Sequence, residues 1–245
     1  MLPLVLYDIP SKLPGNTWSP NPAKPRFVLS YKNLPFETVW VEFPDIATKM
    51  KEIGASPNKG PLDGSDLYTV PALSDPNTGT LITDSWLIAE YLDKTYPEKP
   101  IFPHSSNGLI DAFYAASTEL LKPGSKFIIL RASQILNEPS TEWYIRTREE
   151  VLREKIDEFS PEGPKRDAHW AAIKKCFDAM KTWYDKSSGK WLMGDTFSYA
   201  DILAVSGLLC FKKIFREEEW ERICSWHDGK WEKLLSDVEK ECNPA

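Results

Sequence analysis

Val70-Pro71-Ala72-Leu73-Ser74-Asp75-Pro76-Asn77-Thr78-Gly79-Thr80-Leu81-Ile82-Thr83-Asp84-Ser85 decides how the first part of this chain folds. Two short apolar segments, 70–73 and 80–83, flank Asp75-Pro76-Asn77-Thr78-Gly79, whose residue types favour a turn. The pattern predicts an antiparallel strand pair. Asp84 and Ser85 then open a helix over 85–96, which Pro97, Pro100 and Pro103 end. Upstream, Leu4-Val5-Leu6-Tyr7 reads as a buried strand, and Thr38-Val39-Trp40-Val41 as a second one. A short helix over 27–31 lies between them. A helix over 45–53 carries Ile46, Met50 and Ile53 at helical spacing, and 56–66 reads as a loop.

The order is βαβ, then αββα. Two strands joined by a helix form a parallel, right-handed unit, and the hairpin adds antiparallel strands. The expected product is a four-stranded mixed sheet with helices, a thioredoxin-like α/β domain over 1–96. After a proline-marked linker at 97–103 the strand signal stops. Leu109, Ala112, Phe113, Ala116 and Leu120 repeat at helical spacing, as do Trp170, Ile173, Phe177, Met180 and Tyr184. Ser198-Tyr199-Ala200-Asp201 has the form of a capping box before the apolar run Ile202-Leu203-Ala204-Val205. The remainder, 104–245, reads as an all-helical bundle with that helix at its centre.

Composition narrows the function. The chain has 245 residues, 42% apolar and 27% charged, enough for a substantial core. Its net charge of −6, with no basic run, argues against nucleic acid or an anionic membrane as partner. No apolar run approaches the roughly 18 residues of a membrane span. The first residues lack the basic start of a signal peptide. The four cysteines, Cys176, Cys210, Cys224 and Cys242, form no metal or redox motif, and the three histidines are scattered. A cytoplasmic protein with reduced thiols and no metal is the expectation. No Gly-rich phosphate loop or nucleophile elbow occurs.

Three places carry chemistry. Val70-Pro71 enters a strand, where proline removes a ladder donor. It is either an edge proline or a cis bond that turns Val70's backbone groups outward, to pair with a peptide-like ligand. Asp84-Ser85 is either a simple helix cap or a zwitterion site. In the second reading the helix N-terminus and Ser85 hold a carboxylate, and Asp84 holds an ammonium. Trp18-Ser19-Pro20-Asn21-Pro22-Ala23-Lys24-Pro25-Arg26 precedes the first helix. Ser19 is an N-cap or, if Pro22 and Pro25 delay the helix, a loop hydroxyl free to donate to a thiolate. Ser11, Thr17 and Asn21 are rival donors.

Together these residues resemble the glutathione transferases. Strand, Ser19 loop, helix, strand, helix, Val70-Pro71 and Asp84-Ser85 follow that family's N-terminal order, and Ser198 to Asp201 matches its capping box. The Trp-Ser-Pro run and Trp143-Tyr144-Ile145-Arg146-Thr147-Arg148-Glu149-Glu150 are similar to the serine-type, etherase-related transferases, notably a fungal-specific group from wood-decay fungi. The resemblance implies a homodimer that uses glutathione as co-substrate. Ser19 would polarise its sulfur, Val70 and Pro71 would meet the cysteinyl part, and Asp84 and Ser85 would hold the γ-glutamyl end. Lys59 would reach the glycyl carboxylate. Trp18, Phe113, Tyr114 and Ser117 would line a hydrophobic-substrate site, with Phe113 equally suited to the bundle core. The implied activity is thiolate attack on hydrophobic electrophiles or aryl ethers, in xenobiotic or lignin-derived compound metabolism. A non-catalytic ligandin for plant polyphenols or other aromatic small molecules is the alternative. A cysteine nucleophile is disfavoured because 1–96 contains no cysteine.

Overall fold

The computed structural model describes residues 1–60 and 64–243. Strand β1 (Leu4–Asp8) is followed by α1 (Pro20–Tyr31), β2 (Phe36–Trp40) and α2 (Ile46–Glu52). Then come the short strands β3 (Asn58–Lys59) and β4 (Asp66–Leu67), β5 (Ala72–Asp75), β6 (Thr80–Thr83) and α3 (Ser85–Thr95). The main sheet has the order β2-β1-β5-β6. β1 runs parallel to β2 and antiparallel to β5, and β5 pairs antiparallel with β6. This is the mixed sheet read from the sequence.

Two local expectations are corrected. Helix α1 begins at Pro20, not at 27, and Ser19 is its N-cap. Pro20 and Pro22 fall in the first turn, whose N–H groups have no intrahelical acceptor, so their missing donors cost nothing there. Pro25 lies farther in and removes a single helical bond. The stretch expected as a loop holds the β3–β4 pair, and its residues 61–63 lie outside the described residues.

The second domain contains α4 (Asn107–Leu121), α5 (Ser125–Ser133), α6 (Glu138–Leu152), α7 (Pro164–Tyr184), α8 (Tyr199–Ile214), α9 (Glu217–Cys224) and α10 (Lys230–Cys242). The expected stripe on α7 is buried throughout. On α4 the stripe is rotated. Ile110 is its buried residue, Leu109 is 77% exposed, and Ala112 and Ala116 face solvent. Phe113 and Tyr114 are half-buried instead. Apolar residues occur around most of this helix, so their spacing did not distinguish the inward face from a neighbouring one. Among the described residues, no helix is long and apolar enough to cross a membrane.

Helix α8 is buried along most of its length and packs against α1. Its N-terminus is closed by Asp201, which is fully buried. Asp201 Oδ2 accepts from the Ser198 N–H and hydroxyl, each at 3.1 Å. Its Oδ1 accepts from the Leu192 N–H at 2.9 Å and the Tyr184 hydroxyl at 3.0 Å. Tyr199, the next residue after the cap, donates its N–H to the Ile101 carbonyl at 2.8 Å and its hydroxyl to the Ser85 carbonyl at 3.0 Å. Lys32 ties α1 to the end of α3 and to the linker that follows it. Its buried ammonium donates to Asp93 at 2.7 Å and to the carbonyls of Tyr96, Glu98 and Lys99 at 2.9 to 3.2 Å.

Replacing Asp201 with Ala strands four donors in a dry environment. The expected loss is about 3 kcal/mol or more, since each charge-assisted bond contributes roughly 1.5–3 kcal/mol. Urea unfolding should show a lower midpoint with little change in slope. A midpoint equal to wild type would show that the carboxylate is dispensable for the bundle.

Candidate functional site

A cavity of about 950 Å³ opens between the two domains. The first domain supplies Trp18, Ser19, Val70, Pro71, Asp84 and Ser85 to its wall. Ser19 has extended φ/ψ of −71° and 133°, and its hydroxyl makes no capping bond. The hydroxyl is therefore available beside the positive end of α1, a setting that favours a thiolate over a thiol. The Val70–Pro71 peptide bond is cis. Val70 stands two residues before Ala72, the first paired residue of β5, and its N–H and C=O take no partner among the described residues.

Asp84 is the strained residue of the site. Its φ of 77° lies in the region that favours glycine. Its Oδ1 accepts from the N–H groups of Trp86 and Leu87, at 2.8 and 3.2 Å, and holds the first turn of α3. Oδ2 takes no bond among the described residues and remains for a cation. Backbone strain of this kind persists where surrounding structure over-determines it, and it collects at ligand sites.

The second domain supplies the opposite wall: Tyr114 on α4, Trp143, Tyr144 and Arg148 on α6, and Cys210 on α8. Helix α6 is clamped to the first domain. The Phe43 N–H donates to Ser140 Oγ at 2.9 Å, and Asn137 donates to Glu42 at 2.7 Å. The Phe43 ring stacks on Trp143 with centroids 5.3 Å apart. Arg148 lies 4.4 Å above the Tyr144 ring. Burial pushes the Tyr144 phenol up to about 12, with Arg148 pulling it partly back, so it stays a neutral donor at physiological pH. Burial likewise pushes the Cys210 thiol up to about 12. A thiol held that high is not a nucleophile at neutral pH, which leaves the cysteine-based reading without a candidate in this cavity.

A second cavity of about 220 Å³ adjoins the first, and Pro20, Asn21, Lys24, Tyr114, Ile128 and Cys210 border both. Ser117 lines this smaller space, its hydroxyl donating to the Tyr114 carbonyl at 2.9 Å.

Of the sequence-predicted residues, Phe113 and Lys59 line neither cavity. Phe113 packs edge-on against Trp183 at 5.5 Å, a contact inside the bundle. Lys59 is largely exposed and pairs with Asp66 at 2.6 Å. Lys24, Lys51 and Arg148 do border the larger cavity, and Lys51, on α2, has its ammonium 5.2 Å from the Tyr68 ring centre. Sequence reading missed Lys24, Lys51, Tyr144 and Arg148. Lys51 looks like an ordinary solvated helix charge. Tyr144 and Arg148 sit in a stretch that was distinctive in sequence but had no readable position relative to the first domain. Among the described residues, no group of three or more His, Cys, Asp or Glu side chains is placed to hold a metal.

Comparison with known proteins agrees with this geometry. The family model for the glutathione S-transferase N-terminal domain matches residues 18–95, and that for the C-terminal domain matches residues 108–240. The glutathione S-transferase-like protein ustS of Aspergillus flavus is 30% identical over 258 residues, covering 95% of this chain and 88% of that protein. Among solved structures, the Ceriporiopsis subvermispora glutathione S-transferase CsGST63524, in complex with glutathione, is 38% identical over 98% of both chains, with a TM-score of 0.92. Glutathione transferase GSTFuA3 from Phanerochaete chrysosporium is 36% identical over 98% of both chains, with a TM-score of 0.89. With both halves matched in order around one shared cavity, this chain belongs to the glutathione S-transferase family.

Proposed function

We propose that the protein binds glutathione in the interdomain cavity, activates its sulfur as a thiolate and transfers it to hydrophobic aromatic electrophiles, including aryl ethers of lignin-derived or xenobiotic origin. The observation that carries this is the convergence of Ser19, Val70 and the Asp84-Ser85 helix start on one cavity. The glutathione complex of the Ceriporiopsis relative supports it. The unpartnered backbone of Val70 takes the cysteinyl segment as a neighbouring strand would. The N-terminus of α3 and Ser85 hold the γ-glutamyl carboxylate, and Asp84 Oδ2 holds its ammonium. Lys51 is better placed than Lys59 for the glycyl carboxylate.

Chemistry then needs little else. Ser19 donates to the sulfur and stabilises the thiolate beside the α1 terminus. The thiolate forms a C–S bond as the electrophile's C–O or other leaving-group bond breaks, the pair of electrons departing with the leaving group. Trp18, Trp143 and Tyr144 provide an aromatic wall for the acceptor. The adjoining apolar cavity favours a second role in the same space, a ligandin that stores aromatic compounds such as plant polyphenols. Tight aromatic binding with no turnover, and no thiolate signal from bound glutathione, would favour that role. The expected setting is the cytoplasm.

A homodimer is part of this reading. Leu87 on α3 and Leu109 on α4 are 50% and 77% exposed. The two helices are linked where Asn107, the first residue of α4, donates to Glu90 at 3.2 Å. An apolar face of this kind suits a second copy.

Three outcomes test the proposal. Titrating the thiolate absorbance of bound glutathione should give a pKa well below the ordinary ~8.5 of a free thiol, restored towards it in Ser19→Ala, with a roughly hundredfold fall in kcat. An unchanged pKa in that variant would remove Ser19 from the mechanism. Asp84→Asn keeps the helix cap but loses the charge, so glutathione affinity should fall about tenfold while stability holds. Equal affinity would assign Asp84 to capping alone. Sedimentation should show a dimer that Leu109→Glu converts to monomer, and a dimer indifferent to the substitution would place the interface elsewhere.

A further inference from the structure

Lys24 is 3% exposed and sits on α1 where the two cavities meet. Its ammonium donates to Asn21 Oδ1 at 3.0 Å and to the Tyr114 hydroxyl at 2.6 Å, and lies 4.4 Å from the Tyr114 ring centre. It has no carboxylate partner among the described residues. The other buried lysine of α1's neighbourhood, Lys32, pairs with Asp93 and three carbonyls. Lys24 has two neutral acceptors for three N–H donors. A buried ammonium without an anion is costly, and such groups are kept where they meet a ligand or a partner charge.

The inference rests on the glutathione reading above. There the peptide's charges are matched by other groups: Asp84, the α3 terminus, Lys51 and Ser19. Lys24 is left over. It lies five residues beyond Ser19, more than a turn farther along α1, and borders the smaller cavity, which Ser19 does not. That cavity is otherwise walled by Leu121, Phe177, Met180, Leu203 and Phe211. Its volume of about 220 Å³ exceeds the roughly 150 Å³ of an apolar cavity known to hold benzene.

The geometry points to an anion-receiving subsite at Lys24. Asn21 and Tyr114 orient the ammonium, and the preferred acceptor or ligand is an aromatic compound bearing an acidic oxygen, its ring in the apolar cavity and its oxyanion on Lys24. Tyr114 supplies a hydroxyl that can also donate to the same oxygen. Carboxylate and phenolate are the two forms of this acidic oxygen, and both present the same charged acceptor to the ammonium.

Calorimetric binding with glutathione present tests this. The probes are 2-naphthoate against 2-naphthamide, and 4-nitrophenolate against 4-nitroanisole. Wild type should bind each anion about tenfold or more tightly than its neutral counterpart, as a charge-assisted bond predicts over a neutral one. Preference within only one pair identifies which oxygen the site takes, and still supports it. Lys24→Met should erase the preference, Lys24→Arg should keep it, and Arg148→Met should leave it intact. No preference in wild type overturns the proposal without needing any variant to fold. A preference that survives Lys24→Met, or that Arg148→Met abolishes, overturns it too. Glutathione affinity is measured in parallel. Its absence in wild type would refute the glutathione reading instead, and its selective loss in Lys24→Met would assign the ammonium to the peptide.

Discussion

The carboxylate of Asp201 is the constraint on which the rest of the molecule depends. Four donors converge on it from α7, from the segment before α8 and from the α8 cap. It satisfies groups that would otherwise be orphaned in the core and so permits a nearly all-apolar helix to begin there. Helix α8 in turn supports α1, which carries Ser19 and Lys24. Through Tyr199, the same helix start reaches the first peptide of α3 at Ser85. One buried acid in the second domain thereby positions both helix N-termini that face the cavity in the first.

The two walls divide the chemistry by physical type. The first domain offers backbone groups, helix ends and short polar side chains, which suit a zwitterionic peptide. The second offers Trp143, Tyr144 and the apolar residues around Tyr114, which suit an aromatic partner. Burial keeps Cys210 and Tyr144 protonated at physiological pH. Cys210, the cysteine that borders the larger cavity among the described residues, therefore supplies no thiolate at physiological pH.

The legible parts of the site were those set by short-range rules. Val70-Pro71 and Asp84-Ser85 lie at strand and helix ends, where local sequence dictates what the backbone exposes. Ser19 was singled out for the same reason and lines the cavity, although the prolines around it were read as delaying a helix that they begin. Phe113 and Lys59 illustrate the opposite case. Helical spacing could not tell which side of α4 faces inward. Lys59 was assigned its role by position alone, and lies in a two-residue strand beside Asp66. Lys24 gave no signal at all, because a lysine among prolines reads as surface until α4 and α8 cover it.

The sequence by itself determined the four strands of the main sheet and the helices between them, the hairpin, the capped central helix and hence the two-domain fold. These follow from periodicity, turn chemistry and capping, each acting within a few residues. Only the tertiary structure decided which faces of α4 and α6 meet the first domain, that Lys51 rather than Lys59 borders the cavity, and that Lys24 is buried without an acid. Those outcomes depend on packing between segments more than eighty residues apart, such as Lys24 with Tyr114 and Glu42 with Asn137, which no local pattern encodes.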